Sequence, residues 1–205
     1  MNFYQKYRDA LTHALADVEC TDNNGNTLDP QTAIDRLSTL SRSTAESGNR
    51  QFLCGNGASA AFASHMASDW TKNARVPTFC FSDHAILTAA VNDVGPDAMF
   101  AVPLRGYASR GDLLVTISSS GNSPNIIAAL QEAGNIGLAR VTLSGLKPDN
   151  ASRRMGDINL YVPAKSYGIV ECAHQVLLHA WIDAFLGIEE WNLTAEQNLS
   201  PRLGL

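Results

Sequence analysis

The chain has 205 residues, 45% of them apolar and 17% charged, which suits one α/β domain with a real core and excludes a disordered chain. A formal charge of −5 argues against a nucleic-acid-binding surface, which needs a basic stripe. No uninterrupted apolar run reaches the roughly 18 residues of a membrane span, and the charged, amphipathic N-terminus has no apolar centre of a secretory signal. Cys20, Cys54, Cys80 and Cys172 lie far apart without CxxC spacing, so reduced thiols and a cytoplasmic location are expected.

Phe3, Tyr7, Leu11, Ala14 and Val18 recur at helical spacing and predict a helix over 2–19. The polar stretch "CTDNNGNTLDP" reads as a break, after which Asp29 as N-cap and Pro30 at the first helical position open a helix through about 47. Beyond Gly48, short apolar runs at 51–54, 78–81, 112–118, 139–144 and 158–162 alternate with helical patterns at 58–71, 84–92, 123–136 and 168–186. That alternation predicts a five-stranded parallel sheet covered by helices on both faces. The expected unit is a single domain over 1–188, with 189–205 as a tail.

Two strand-to-helix junctions carry the polar chemistry. "TISSSGNSPNII" (116–127) crowds Ser118, Ser119, Ser120 and Ser123 around Gly121 where a helix begins. Unpaired N–H groups and the positive dipole end there attract an anion, and the hydroxyls add donors. The competing expectation is that one serine caps the helix. "LCGNGASAAF" (53–62) makes a similar turn offering Asn56, Gly57 and Ser59. His65 and Asp69, four apart, share one face of the helix that follows. The helix over 168–186 is apolar nearly all round, so Glu171, His174, Gln175 and His179 are costly there without partners. Glu171 and His179 are two turns apart and about 80° around the axis, which lets them line one cleft wall.

Taken together, "CGNGAS", "SDHAILTAAVND", "GDLLVTISSSGNSPNII" and "VECAHQVLLH" resemble the sugar isomerase (SIS) domain family, and within it the phosphoheptose isomerases. The helices at 2–19 and 30–47 resemble that family's N-terminal pair. The resemblance implies a three-layer α/β sandwich, a cytoplasmic homotetramer with active sites at subunit borders, and interconversion of sedoheptulose 7-phosphate with D-glycero-D-manno-heptose 7-phosphate in surface-polysaccharide or lipopolysaccharide synthesis. It assigns Ser118, Ser119, Ser120 and Ser123 to the phosphate, and Asn56, Gly57, Ser59 and Asp93 to the sugar. It makes Asp69 the base and His179 the partner acid; a metal on Asp69 would stop it serving freely as base, and Glu171 then becomes the candidate. It also implies a zinc ion, one per subunit, on His65, Asp69, Glu171 and His179. Four positions depart from the family pattern: Asp69 stands for a glutamate, Glu171 for a glutamine, Gly168 for an aspartate and Asn73 for an arginine. Two alternatives stay open. One is a non-catalytic SIS adaptor like the bacterial factor that binds the replication initiator, although such adaptors lack the acid and last histidine retained here. The other is an isomerase of a different phosphosugar.

Overall fold

The computed structural model describes residues 1–192. The predicted tail falls mostly on 193–205, outside the described residues. Among the described residues, seven helices, α1 (Phe3–Ala16), α2 (Pro30–Glu46), α3 (Ala58–Lys72), α4 (His84–Asp93), α5 (Ala101–Tyr107), α6 (Pro124–Ile136) and α7 (Tyr167–Leu186), surround one sheet. Its strands are β1 (Glu19–Asp22), β2 (Thr27–Leu28), β3 (Gln51–Gly55), β4 (Thr78–Cys80), β5 (Leu113–Ser118), β6 (Ala139–Gly145) and β7 (Ile158–Val162). They lie in the order β2-β1-β7-β6-β5-β3-β4.

The five expected parallel strands are present and mutually parallel. The sheet nevertheless has seven strands, because β1 pairs antiparallel with β7 and folds back on β2. The first helix accordingly ends at Ala16 rather than 19, and the supposed polar break is a hairpin whose turn places Gly25 at φ +79°. Only Cys20 and Leu28 of the hairpin strands are buried, so they lack the apolar run that marks the inner strands. α5 and the 3₁₀ turn at Pro96–Ala98 were likewise not anticipated. The expected start of α2 is observed: the Asp29 carboxylate accepts from Thr32 N at 3.0 Å, with Pro30 in the first turn.

Strand alternation divides the core into two layers. Leu53, Val115, Ile117, Val141 and Leu143 face a layer with Met66 and Trp70 of α3 and Val170, Leu178 and Trp181 of α7. Phe52, Cys54 and Leu114 face the opposite layer with Leu104 of α5 and Ile126, Ala129 and Leu130 of α6. All six β5 residues are buried, as expected of a central strand covered on both faces. Trp70 packs edge-on against Trp181 and Phe185, with ring centroids 5.4 and 5.0 Å away, and this joins α3 to α7. Among the described residues, α7 is long and apolar enough to cross a membrane, but here it packs on α1, α2 and α3 with Val170, Ala173 and Trp181 buried. All four cysteines are free; Cys20 and Cys54 are buried and Cys172 is exposed.

Candidate active site

The strand order changes direction between β3 and β5. β3 continues through α3 outward to β4, whereas β5 continues through α6 the other way to β6 and β7. Ligands of open α/β sheets bind where the carboxyl ends of such strands diverge. The two polar junctions of the sequence stand at that point. They are tied together by a reciprocal amide pair: Asn56 Nδ2 donates to Asn125 Oδ1 at 3.0 Å, and Asn125 Nδ2 donates to Asn56 Oδ1 at 2.9 Å.

On the β3 side, Gly55 brings the strand end against the helix. A Cβ there would lie 2.7 Å from the backbone of Ser59. Gly57 at φ +58° and ψ −122° occupies a region open only to glycine, and begins α3. Asn56 and Gly57 are exposed, whereas Ser59 is tucked beneath the strand end at 4% exposure. Asp93, at the end of α4, is exposed and accepts from Asn92 Nδ2 at 2.8 Å.

On the β5 side, Ser123 is the N-cap of α6 by position, yet its hydroxyl makes no cap bond. The expectation that a serine caps this helix is therefore not met: Ser123 stands at the cap position, but its hydroxyl does not bond the first-turn N–H groups. Ser118 Oγ accepts from Gly121 N at 3.2 Å and Ser120 Oγ from Asn122 N at 3.3 Å, which shapes the loop. Among the described residues, the Ser119 and Ser123 hydroxyls and the Ser120 and Ser123 N–H groups have no partner. These unspent donors stand at the positive end of α6, an arrangement that can receive an anion without a lysine.

The second cluster lies between α3 and α7. His65 Nε2 is 3.2 Å from His179 Nε2 and 3.3 Å from Asp69 Oδ2, and His179 Nε2 is 3.9 Å from Asp69 Oδ2. Among the described residues, these three are the group of potential metal ligands that the fold brings together. Glu171, the fourth expected member, is not in that group. It shares the α7 stripe with His179 but sits two turns toward the N-terminus, and helical side chains lean that way. Sequence reasoning left Gln175 without a role. It lies between them, with Nε2 3.2 Å from His179 Nε2 and 3.6 Å from Met66 Sδ. Asp183, one turn beyond His179, was also missed; burial raises its carboxyl, and the nearby Asp69 charge acts in the same direction against His179. Its i, i+4 spacing from His179 was the available signal. At Gly168, a Cβ would stand 3.1 Å from the Tyr7 hydroxyl of α1, a tight contact that the tyrosine side chain would have to relieve by a few tenths of an ångström.

The triad side chains remain open, at 52% exposure for His65, 24% for Asp69 and 44% for His179. The cavity of about 370 Å³ between β4 and α4, lined by Phe52, Phe79, Phe81 and Tyr107, shares no residue with either cluster.

Residues 9–145 match the family pattern of the SIS domain. The phosphoheptose isomerase of Aliarcobacter butzleri is 37% identical over 155 residues, covering 73% of this chain and 82% of the relative. The chain belongs to the phosphoheptose isomerase family. The family member from Campylobacter concisus is 37% identical over 142 residues, covering 66% of this chain and 75% of that one. Among solved structures, the phosphoheptose isomerase of Neisseria gonorrhoeae superposes with a TM-score of 0.77 at 27% identity, over 89% of this chain and 94% of its own. That of Francisella tularensis gives the same TM-score at 26% identity, over 91% and 100%. Phosphoheptose isomerases thus share both the sequence pattern and the three-layer fold of this chain.

Proposed function

We propose that this chain is an intramolecular oxidoreductase, an aldose–ketose isomerase that interconverts sedoheptulose 7-phosphate and D-glycero-D-manno-heptose 7-phosphate. The carrying observation is the pairing of an anion cradle at the switch point with a His–Asp–His cluster on the adjoining helices. Asn56, Gly57, Ser59 and Asp93 are assigned to the sugar, and Ser118, Ser119, Ser120 and Ser123 to its phosphate. The Asn56 amide, already paired with Asn125, keeps one N–H and one lone pair for a sugar hydroxyl.

The reaction moves one proton between adjacent carbons and another between their oxygens, so it needs a carboxylate near the carbons and an acid–base or electrophilic group near the oxygens. His65, Asp69 and His179 suit a zinc ion. Their donor atoms stand 3.2 to 3.9 Å apart, against about 3.3 Å expected along a tetrahedral edge for bonds near 2.0 Å. Two imidazoles and a carboxylate are also among the donor sets that hold zinc at sites with an open position. When bound, such a cation supplies Lewis-acid stabilisation of the charge developing on the substrate oxygens. With Asp69 so engaged, Glu171 is left as the carboxylate that carries the carbon-bound proton.

The open triad is completed, on this proposal, by another subunit of a cytoplasmic homotetramer. Phe3 and Tyr4 of α1 and Tyr167 and Val176 of α7 are exposed apolar side chains available for that contact. The unit that assembles is residues 1–188, and its product would feed lipopolysaccharide or other surface-polysaccharide synthesis.

The test is turnover on a panel of phosphorylated ketoses, with and without added zinc, alongside light scattering. Preferential conversion of sedoheptulose 7-phosphate by a tetramer is expected. Preference for another ketose phosphate would overturn the substrate, absence of turnover on every sugar would return the chain to the adaptor class, and a monomer mass at micromolar concentration would overturn the assembly.

A further inference from the structure

The serine loop is not held in shape by its own bonds alone. Gly121 stands at φ +61°, its carbonyl accepting from Ser152 N at 2.9 Å, and Asn122 Oδ1 accepts from Ala151 N at 2.9 Å. Both donors belong to the segment that follows β6. That segment is organised around one side chain, Asn150, which is 1% exposed. Its Nδ2 donates to Lys147 O at 2.8 Å and to Ser144 Oγ at 3.2 Å, and its Oδ1 accepts from Ser152 Oγ and Arg153 N, each at 3.1 Å. Both protons and both lone pairs of the carboxamide are thereby used, so no isosteric residue can replace it without loss. Ser144 is itself fixed from α7, where His174 Nε2 donates to its carbonyl at 3.0 Å.

The carboxamide also packs directly against the loop. A Cβ built on Gly121 would stand 2.0 Å from Asn150 Oδ1, closer than any real contact. The glycine and the asparagine are therefore matched: one gives up its side chain so that the other can lie beneath the turn. We propose that Asn150 is a positioning residue for anion binding. It sets the segment 150–152 so that the Gly121 carbonyl and the Asn122 side chain are drawn back onto it. The Ser120 and Ser123 N–H groups and the Ser119 and Ser123 hydroxyls are then left for a phosphate. Asn150 does not itself touch the ligand. A carbonyl released from Ser152 could rotate toward the anion and repel it, which is how loss of a buried amide would be felt at the site.

This inference rests on the phosphate assignment of the serine loop, and the experiment separates the two. Dissociation constants for inorganic phosphate, steady-state kinetics on sedoheptulose 7-phosphate and melting temperatures are measured for the full chain and for Asn150→Ala, Asn122→Ala and Ser123→Ala. Asn150→Ala is expected to raise the phosphate Kd and the KM about tenfold, with the change falling on KM rather than kcat. Asn122 is exposed, so Asn122→Ala folds even if Asn150→Ala does not, and it is expected to raise both constants about threefold at an unchanged melting temperature. Unchanged phosphate Kd and KM in the Asn variants, with Ser123→Ala weakened, would overturn the positioning role and leave the cradle standing. A fall in kcat and melting temperature at constant KM would make Asn150 structural only. Normal phosphate binding by all three variants would overturn the cradle and the positioning role together.

Discussion

Asn56 and Asn125 exchange two amide hydrogen bonds, of 3.0 and 2.9 Å, across the point where β3 and β5 send their helices in opposite directions. Asn125 is 9% exposed and Asn56 is open to solvent, so the pair fixes an exposed amide from a buried partner. Because each bond needs both residues, Asn56→Ala and Asn125→Ala should not be additive. A double-mutant cycle on stability is expected to give a coupling of about 1 kcal/mol. Additive losses would show that the pair is incidental.

Ser123→Ala should weaken sugar-phosphate binding by about tenfold while the melting temperature stays within about 1 °C of the parent, since the hydroxyl makes no cap bond to lose. Calorimetric titration and thermal melts decide this. A lowered melting temperature with normal binding would mean that the serine supports the helix in solution.

Acid stability should depend on His174. Burial pushes its imidazole down to about 4, the bond to the Ser144 carbonyl opposing this only in part. The unfolded chain, with its histidine near 6.5, binds more protons between those values, so stability rises with pH across that window. The contribution is complete above about pH 6.5, is lost as pH falls toward 4, and is of the order of 3 kcal/mol. Denaturant midpoints measured from pH 4 to 7 should show this slope in the parent and a flatter one in His174→Gln. An equal slope in both would assign the acid sensitivity elsewhere.

Elemental analysis of protein purified without chelator should find about one zinc per subunit, reduced at least tenfold in His65→Ala or His179→Ala. Glu171→Gln should keep the metal and lose turnover if Glu171 carries the proton. Metal lost with Glu171→Gln would return that residue to the ligand set. Metal-free protein with full activity in EDTA would mean that acid–base side chains alone move both protons.

Much of the architecture could be read from the sequence because its signals are local. The apolar run "DLLVTIS" marks a strand buried on both faces, Asp29-Pro30 marks a helix start, and the serine loop marks the end of a strand and the head of a helix. Their order along the chain was enough to predict five parallel strands with two polar junctions at one edge. The hairpin of β1 and β2 escaped because two short polar strands carry no periodic signal, and only pairing with β7 makes them part of the sheet. What the tertiary structure alone decided are contacts between residues distant in sequence. His65 meets His179 across 114 positions because Trp70, Trp181 and Phe185 lock α3 to α7, and Gln175 rather than Glu171 occupies the space beside them. Asn150 reaches Gly121 for a similar reason: β5 and β6 are adjacent, which brings the loops beyond their ends together. Propensity and capping act within a few residues and set the elements, whereas the site depends on how side chains fill the space between packed layers.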